Sequence, residues 1–180
     1  MDRVETATGV YFRCEDYAGL WRRLLIDAVD FPLVVVLSAI VLALTAAAGL
    51  EPKDAPGSFL ALLALIWFGY FVFLKGSPYR TLGYVVAGAR IVNLKGERAG
   101  FGALALRLMF VIGGPMNALL DVLWLTGDLD RQALRDKFAS TYVVRKNAVP
   151  AGTGAIRFRT YTFWGMTFLF REVSRSARAA

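Results

Sequence analysis

The sequence predicts a mainly α-helical integral membrane protein with two transmembrane helices, a third hydrophobic helical segment that is broken, and a small cytoplasmic β element. Three observations carry that prediction. Residues Phe31 to Leu50 and Ala55 to Leu74 contain no charged side chain, and each stretch has the roughly 20-residue length that takes a helix across a ~30 Å hydrocarbon core. The chain is 57% hydrophobic with a mean hydropathy of +0.50, above the roughly 45–50% apolar content of soluble domains. That excess is concentrated in long uninterrupted stretches, whereas core helices of soluble proteins are shorter and amphipathic. Its 180 residues suffice for one membrane domain, placed at 1–150, followed by a basic aromatic tail at 151–180.

In chain order, Met1 to Tyr17 is polar and mixed in charge, with Val10, Tyr11 and Phe12 as its apolar cluster. It reads as a short strand or ordered arm outside the bilayer. The first helix is expected over about 17–49, longer than the hydrocarbon needs, so that Arg22 and Arg23 project into the headgroups. Asp2, Glu5, Glu15, Asp16, Asp27 and Asp30 precede an apolar run already long enough to span, unlike a cleaved signal peptide. The helix is therefore read as a retained anchor. Glu51 to Gly57 combines charges with Pro52, Pro56 and Gly57, which predicts a tight turn into a second helix over about 57–75.

Lys and Arg asymmetry sets the orientation. Arg13, Arg22 and Arg23 precede the first helix and Lys75, Arg80, Arg90, Lys95 and Arg98 follow the second, against Lys53 alone in the turn. Both flanks, and the N-terminus, are expected in the cytoplasm of a bacterial cell, with the protein in the inner membrane. Val85, Val86, Ile91 and Val92 are β-formers, Asn93-Leu94-Lys95-Gly96 reads as a turn, and Ser140 to Val144 is a matching β-rich patch. The two patches are expected to pair.

The third helical segment, about 101–126, is apolar but contains Arg107 and Asp121, and Gly113-Gly114-Pro115 divides it. Each piece of about twelve residues is roughly 18 Å long, too short to cross. Two topologies remain: a re-entrant or interfacial hairpin, and a single kinked span. The hairpin agrees better with the charges, since a span would put Arg131, Arg135, Lys137, Arg145 and Lys146 outside. The tail alternates Arg157, Arg159, Arg171, Arg175 and Arg178 with Phe158, Tyr161, Phe163, Trp164, Phe168 and Phe170, a composition suited to the membrane interface.

A net charge of +7 raises nucleic acid as a partner, but no stacking platform or fold signature accompanies it. The excess is assigned to the cytoplasmic face and anionic lipid. Cys14 is the single cysteine and histidine is absent, which removes any intramolecular disulfide and the commonest general base and metal ligand. Gly83 and Gly88 have P-loop spacing, but Ala89-Arg90 stands where Lys-Ser/Thr is required. No Gly-x-Ser-x-Gly occurs. The expectation is no enzyme, no cofactor and no assignable metal.

Charge at membrane depth costs several kcal/mol unless paired or wet, so the ionisable residues there are the candidate site. Arg23, Asp27 and Asp30 stand at i, i+4 and i+7 on one helical face. Two readings stay open: an ion-pair cluster that pins this helix to the third segment, and a cation or proton site built on Asp27 and Asp30. Arg107, Asp121 and Asp136 complete the candidate set.

Three blocks of this sequence resemble the RDD family of bacterial membrane proteins. They are Ala18-Gly19-Leu20-Trp21-Arg22-Arg23 followed by Asp30; Thr81-Leu82-Gly83 with Arg90-Ile91-Val92, Gly96, Phe101-Gly102 and Arg107; and Arg131-Gln132-Ala133-Leu134-Arg135-Asp136-Lys137 with Thr141 and Val143-Val144. The resemblance makes Arg23, Asp30 and Asp136 the eponymous residues. It departs at Arg135, where the family commonly has His, at Tyr84, where it commonly has a basic residue, and at Asp27, a position usually apolar. It implies a transport role, including monovalent cation/proton exchange, for some members. The expected function is therefore transport, or assistance to transport, of a small solute or monovalent cation. The alternative is a non-catalytic scaffold or assembly subunit. With so few spans, either expectation favours a homo-oligomer or membrane partner subunits.

Overall fold

The computed structural model describes residues 4–50, 54–128, 130–163 and 165–175. In order they form β1 (Val4–Tyr11), α1 (Leu20–Ala47), α2 (Pro56–Phe68), a π-helical turn (Gly69–Leu74), α3 (Leu82–Val86), β2 (Ala89–Asn93), α4 (Phe101–Ile112), α5 (Pro115–Gly127), α6 (Leu134–Phe138), β3 (Thr141–Arg145), β4 (Gly152–Phe163) and β5 (Met166–Val173). Two helices are long and apolar enough to cross a membrane, Leu20–Ala47 and Pro56–Leu74, or up to three if the bent α4–α5 pair is one span.

The buried residues of α1 are Arg23, Ile26, Asp30, Val34 and Ser38. Steps of three and four keep them on one stripe, and the remaining faces expose Val35, Val36, Ile40 and Leu44. No residue of α2 is buried. The π turn differs: Tyr70, Phe71 and Val72 are all buried and pack with Ile26, Tyr84, Leu104 and Leu108 in one core cluster. A second cluster joins Phe12, Tyr17, Val92, Tyr142, Ile156 and Val173. The segment entering α1 runs along β3, with Ala18 N–H donating to Val143 O at 2.8 Å. The core therefore gathers where α1 starts and α2 stops, and the far halves of both long helices stand clear of it.

Pro115 opens α5 and cannot continue α4, and Gly114 adopts φ 100°, a conformation open to glycine. The two helix axes turn through 116° at this break. The start of α4 packs at the end of the second long helix, with the Phe101 and Phe73 rings 5.3 Å apart. The end of α5 returns beside the start of α1, where Leu125 and Thr126 share a cavity with Leu20 and Trp21. Both ends of the bent pair thus lie at the same end of the α1–α2 pair.

The β2 and β3 strands pair antiparallel, from Ala89 opposite Arg145 to Asn93 opposite Thr141, as the two β-rich patches predict. Val85 and Val86, read as β-formers, instead lie in the helix α3; a tertiary carboxylate described below fixes its first turn. The tail differs as well. Residues 152–173 form the hairpin β4–β5, and β4 also pairs with β1, giving the sheet order β1-β4-β5. Two of its aromatic residues pack on protein: Phe170 is buried, and Trp124 of α5 meets Tyr161 and Phe170 edge-on at 5.4 and 5.8 Å. Glu51 to Lys53 of the expected tight turn, and Trp164 and Arg178 of the tail, lie outside the described residues.

Candidate functional site

Asp30 is completely buried, and three neutral donors hold its carboxylate. Tyr70 donates its hydroxyl to Oδ1 at 2.8 Å, Thr81 its hydroxyl to Oδ2 at 2.6 Å, and Gly83 its backbone N–H to Oδ1 at 2.7 Å. The carboxylate thereby caps α3 from another helix, satisfying an N–H that has no partner inside that first turn. Gly83 is required for this approach, since a Cβ there would sit 2.4 Å from Ile26 O and 2.7 Å from Asp30 Oδ1.

Arg23 does not pair with Asp30. Its Nη1 lies 2.6 Å from Asp136 Oδ2, Nε donates to Ala18 O at 3.0 Å, and Nη2 donates to Arg131 O at 2.8 Å. Arg107 of α4 joins from the other side, contacting Asp136 Oδ1 and donating to Thr141 Oγ1 at 2.9 Å. Asp136 also accepts the Ala133 N–H at 3.1 Å. All three charged residues are buried, and a buried charge with no such partner costs several kcal/mol.

The neighbouring residue, Arg135, turns to a second pair of carboxylates. Its Nε lies 3.0 Å from Asp121 Oδ2, its Nη2 3.4 Å from Asp27 Oδ2, and its backbone N–H donates to Asp121 Oδ1 at 2.8 Å. Beside this group, between α1 and the bent pair, is a cavity of about 140 Å³ lined by Arg23, Asp27, Phe31, Phe110, Asp121 and Arg135 among others.

Lys137 completes the series. Its Nζ lies 2.7 Å from Asp128 Oδ1 and 2.6 Å from Glu172 Oε1, and Tyr161 donates its hydroxyl to the same Glu172 oxygen at 2.6 Å. Burial pushes the Glu172 carboxyl up, but the hydrogen bonds from Lys137 and Tyr161 and the Lys137 charge outweigh it, and the net shift is downward. Burial is the larger influence on Asp130, whose carboxyl is raised despite Arg175 beside it.

Three consecutive side chains of the one-turn helix α6, Arg135, Asp136 and Lys137, thus reach three separate clusters, because successive residues on a helix point about 100° apart. The six candidate residues fall into two of these clusters and one isolated carboxylate: Arg23 and Arg107 with Asp136, Asp27 and Asp121 with Arg135, and Asp30 alone. Tyr70 and Glu172 are partners that sequence reasoning missed, since neither belongs to a recognisable charge spacing. No group of three or more His, Cys, Asp or Glu side chains suited to a metal ion occurs among the described residues.

Fold and site together define a class: a small protein with long apolar helices, whose charges are gathered at one end and paired across helices. A family model described as the RDD family matches residues 17–140, and the chain belongs to that family. Tyr70, Thr81 and Gly83 around Asp30, and Arg23, Arg107 and Ala133 around Asp136, all fall within the matched segment; Thr141, bonded to Arg107, follows it by one position. No curated protein and no solved structure matches the chain.

Proposed function

We propose that this RDD-family chain is a multi-pass protein of a bacterial inner membrane, its N-terminus cytoplasmic, working as a non-catalytic subunit of a larger membrane assembly. One observation carries the reading: every carboxylate of the site is already engaged within the protein. Three guanidiniums, Arg23, Arg107 and Arg135, face three carboxylates, Asp27, Asp121 and Asp136, and the fourth, Asp30, is held by three neutral donors. Such a network fastens helices and presents no unengaged carboxylate to a passing ion. Beyond Asp30 the first long helix carries only the hydroxyls of Ser38 and Thr45, and 56–69 only that of Ser58, so a single copy offers no polar path. Exposed Val36, Ile40, Leu44, Leu60 and Leu65 suit lipid and the helices of partner subunits. The return of the bent pair to its side of entry supports a re-entrant segment.

The test counts subunits: single-molecule photobleaching of the fluorescently tagged chain extracted in native-membrane nanodiscs, with mass spectrometry of the same particles. More than one bleaching step, or a stoichiometric membrane partner, is expected. Single-step particles holding this chain alone would overturn the proposal.

A second reading, cation/proton exchange, is favoured by the 140 Å³ cavity. There the Asp27 side chain is 35% exposed and makes the longest contact of the network, 3.4 Å, so its carboxylate can leave Arg135 without opening the core. Cation-induced proton flux in proteoliposomes decides it. Flux that folded Asp27→Asn loses establishes exchange; equal flux from both ends this reading.

A further inference from the structure

We propose that the cavity where the second long helix ends is a binding site for a phosphate group, either a lipid headgroup phosphate or a free one. The cavity measures about 260 Å³ and lies between the segment 75–80, β2 and the loop after β3; Lys75, Arg80, Arg90, Arg98 and Lys146 all line it. No acidic side chain lines it. Among the described residues, none of these five cations forms a salt bridge. Elsewhere the chain behaves differently: Arg23, Arg107, Arg135 and Lys137 are each matched by carboxylates. The charges of Arg80, Arg90, Arg98 and Lys146 converge on one cavity and repel one another, and an anion relieves that cost.

The cations are also positioned. Arg80 holds a left-handed backbone conformation, φ 63°, strained for a non-glycine residue, and its Nη1 donates to Ala89 O at 3.0 Å. Arg90 is held by Ala148 O at 2.8 Å. Lys75 lines the cavity, but its ammonium turns to the core, over the Phe71 and Tyr84 rings at 5.0 and 4.9 Å from their centroids, which leaves the other four cations to meet the anion. Guanidiniums fixed by one N–H keep the others free for oxygen anions, the geometry that suits phosphate. The volume falls below the roughly 300–1,000 Å³ of sites for drug-sized ligands, which fits a phosphate with its immediate ester. In the proposed topology this cavity opens at the cytoplasmic surface, where anionic headgroups lie.

Thermal unfolding of the purified full-length chain in a neutral detergent, at fixed ionic strength, tests the site. The probes are inorganic phosphate, short-chain phosphatidylglycerol and short-chain phosphatidylcholine. A saturable rise in Tm with phosphatidylglycerol alone assigns a headgroup phosphate, and a rise with inorganic phosphate assigns a free one; phosphatidylcholine is expected to give neither. Arg98→Gln/Lys146→Gln, at exposed positions, should weaken binding roughly thirtyfold, from about a factor of five per cation. Lys95→Gln/Arg145→Gln, a charge-matched pair of exposed residues off the cavity, should change it less than about threefold. No saturable response to either anion, or equal weakening in the two double variants, would show diffuse surface charge and overturn the site. The assay does not depend on how many subunits the assembly holds, so its outcome is separate from the subunit reading.

Discussion

Asp136 and Asp27 are both carboxylates paired with arginine, but their surroundings set different costs. Asp136 is buried against two guanidiniums, and removing its charge leaves both without a counter-charge, a loss of about 3–5 kcal/mol. Asp27 is 35% exposed and meets Arg135 at 3.4 Å, while Asp121 still holds that arginine; its loss should cost about 1 kcal/mol or less. Denaturant unfolding in detergent should therefore separate Asp136→Asn from Asp27→Asn by several kcal/mol, and equal costs would contradict the burial argument. The face formed by Arg23, Asp27 and Asp30 was legible from spacing, but its pairing was not. Residues seven apart are about 10 Å apart along a helix axis, beyond ion-pair reach, so each found its partner on another element. Asp27 and Arg135, two of the positions where the chain departs from the family pattern, find each other. Sequence spacing carries no sign of a contact 108 residues apart.

Among the elements, α3 shows tertiary structure overriding local preference. Val85 and Val86 favour strand, yet Asp30 satisfies the Gly83 N–H and the Thr81 hydroxyl and so selects a helical turn. Gly83→Ala should force α1 and α3 apart, because its Cβ would strike the Ile26 carbonyl, and lower stability by about 1–3 kcal/mol; an unchanged Tm would refute the close contact. The hairpin of the tail was legible in retrospect. Arg157-Phe158-Arg159 alternates with the period of two that marks a strand, and Gly165 at φ 75° closes the turn. Composition drew attention to the membrane interface and away from that period. The hairpin is tied to α6 through Glu172 and Lys137, which gives a pH dependence. With the folded Glu172 value below its ordinary 4.5, this contribution is present above pH 4.5 and is lost as pH falls through the folded value. Glu172→Gln should lower Tm at neutral pH and flatten its decline in acid; an unaltered acid profile would deny the pair that role.

At the scale of the molecule, both long helices and the break at Gly113 to Pro115 were legible from hydropathy and from glycine and proline. The Lys and Arg distribution already favoured a returning pair, but the docking of Phe101 beside Phe73 and of Leu125 beside Leu20 was not legible, because those contacts join residues far apart in the chain. The proposed topology places Gly100 and Arg131 on the cytoplasmic side and Ser58 outside. In a Cys14→Ser background, Ser58→Cys should react with an impermeant thiol reagent in intact cells, and Gly100→Cys and Arg131→Cys only in inverted vesicles. External labelling of Arg131→Cys would establish a crossing by the third segment.

The place of α6 in the chain has a consequence for biogenesis. Arg23, Asp27, Arg107 and Asp121 all emerge from the ribosome before Arg135 and Asp136 do, and at about 5–20 residues per second Arg107 waits on the order of seconds for a partner 29 residues downstream. During that interval its charge cannot settle into lipid. In the proposed re-entrant topology, the unpaired arginine would hold the bent pair near water until the last clasp emerges, so the order of translation itself would act against insertion of this segment as a third span.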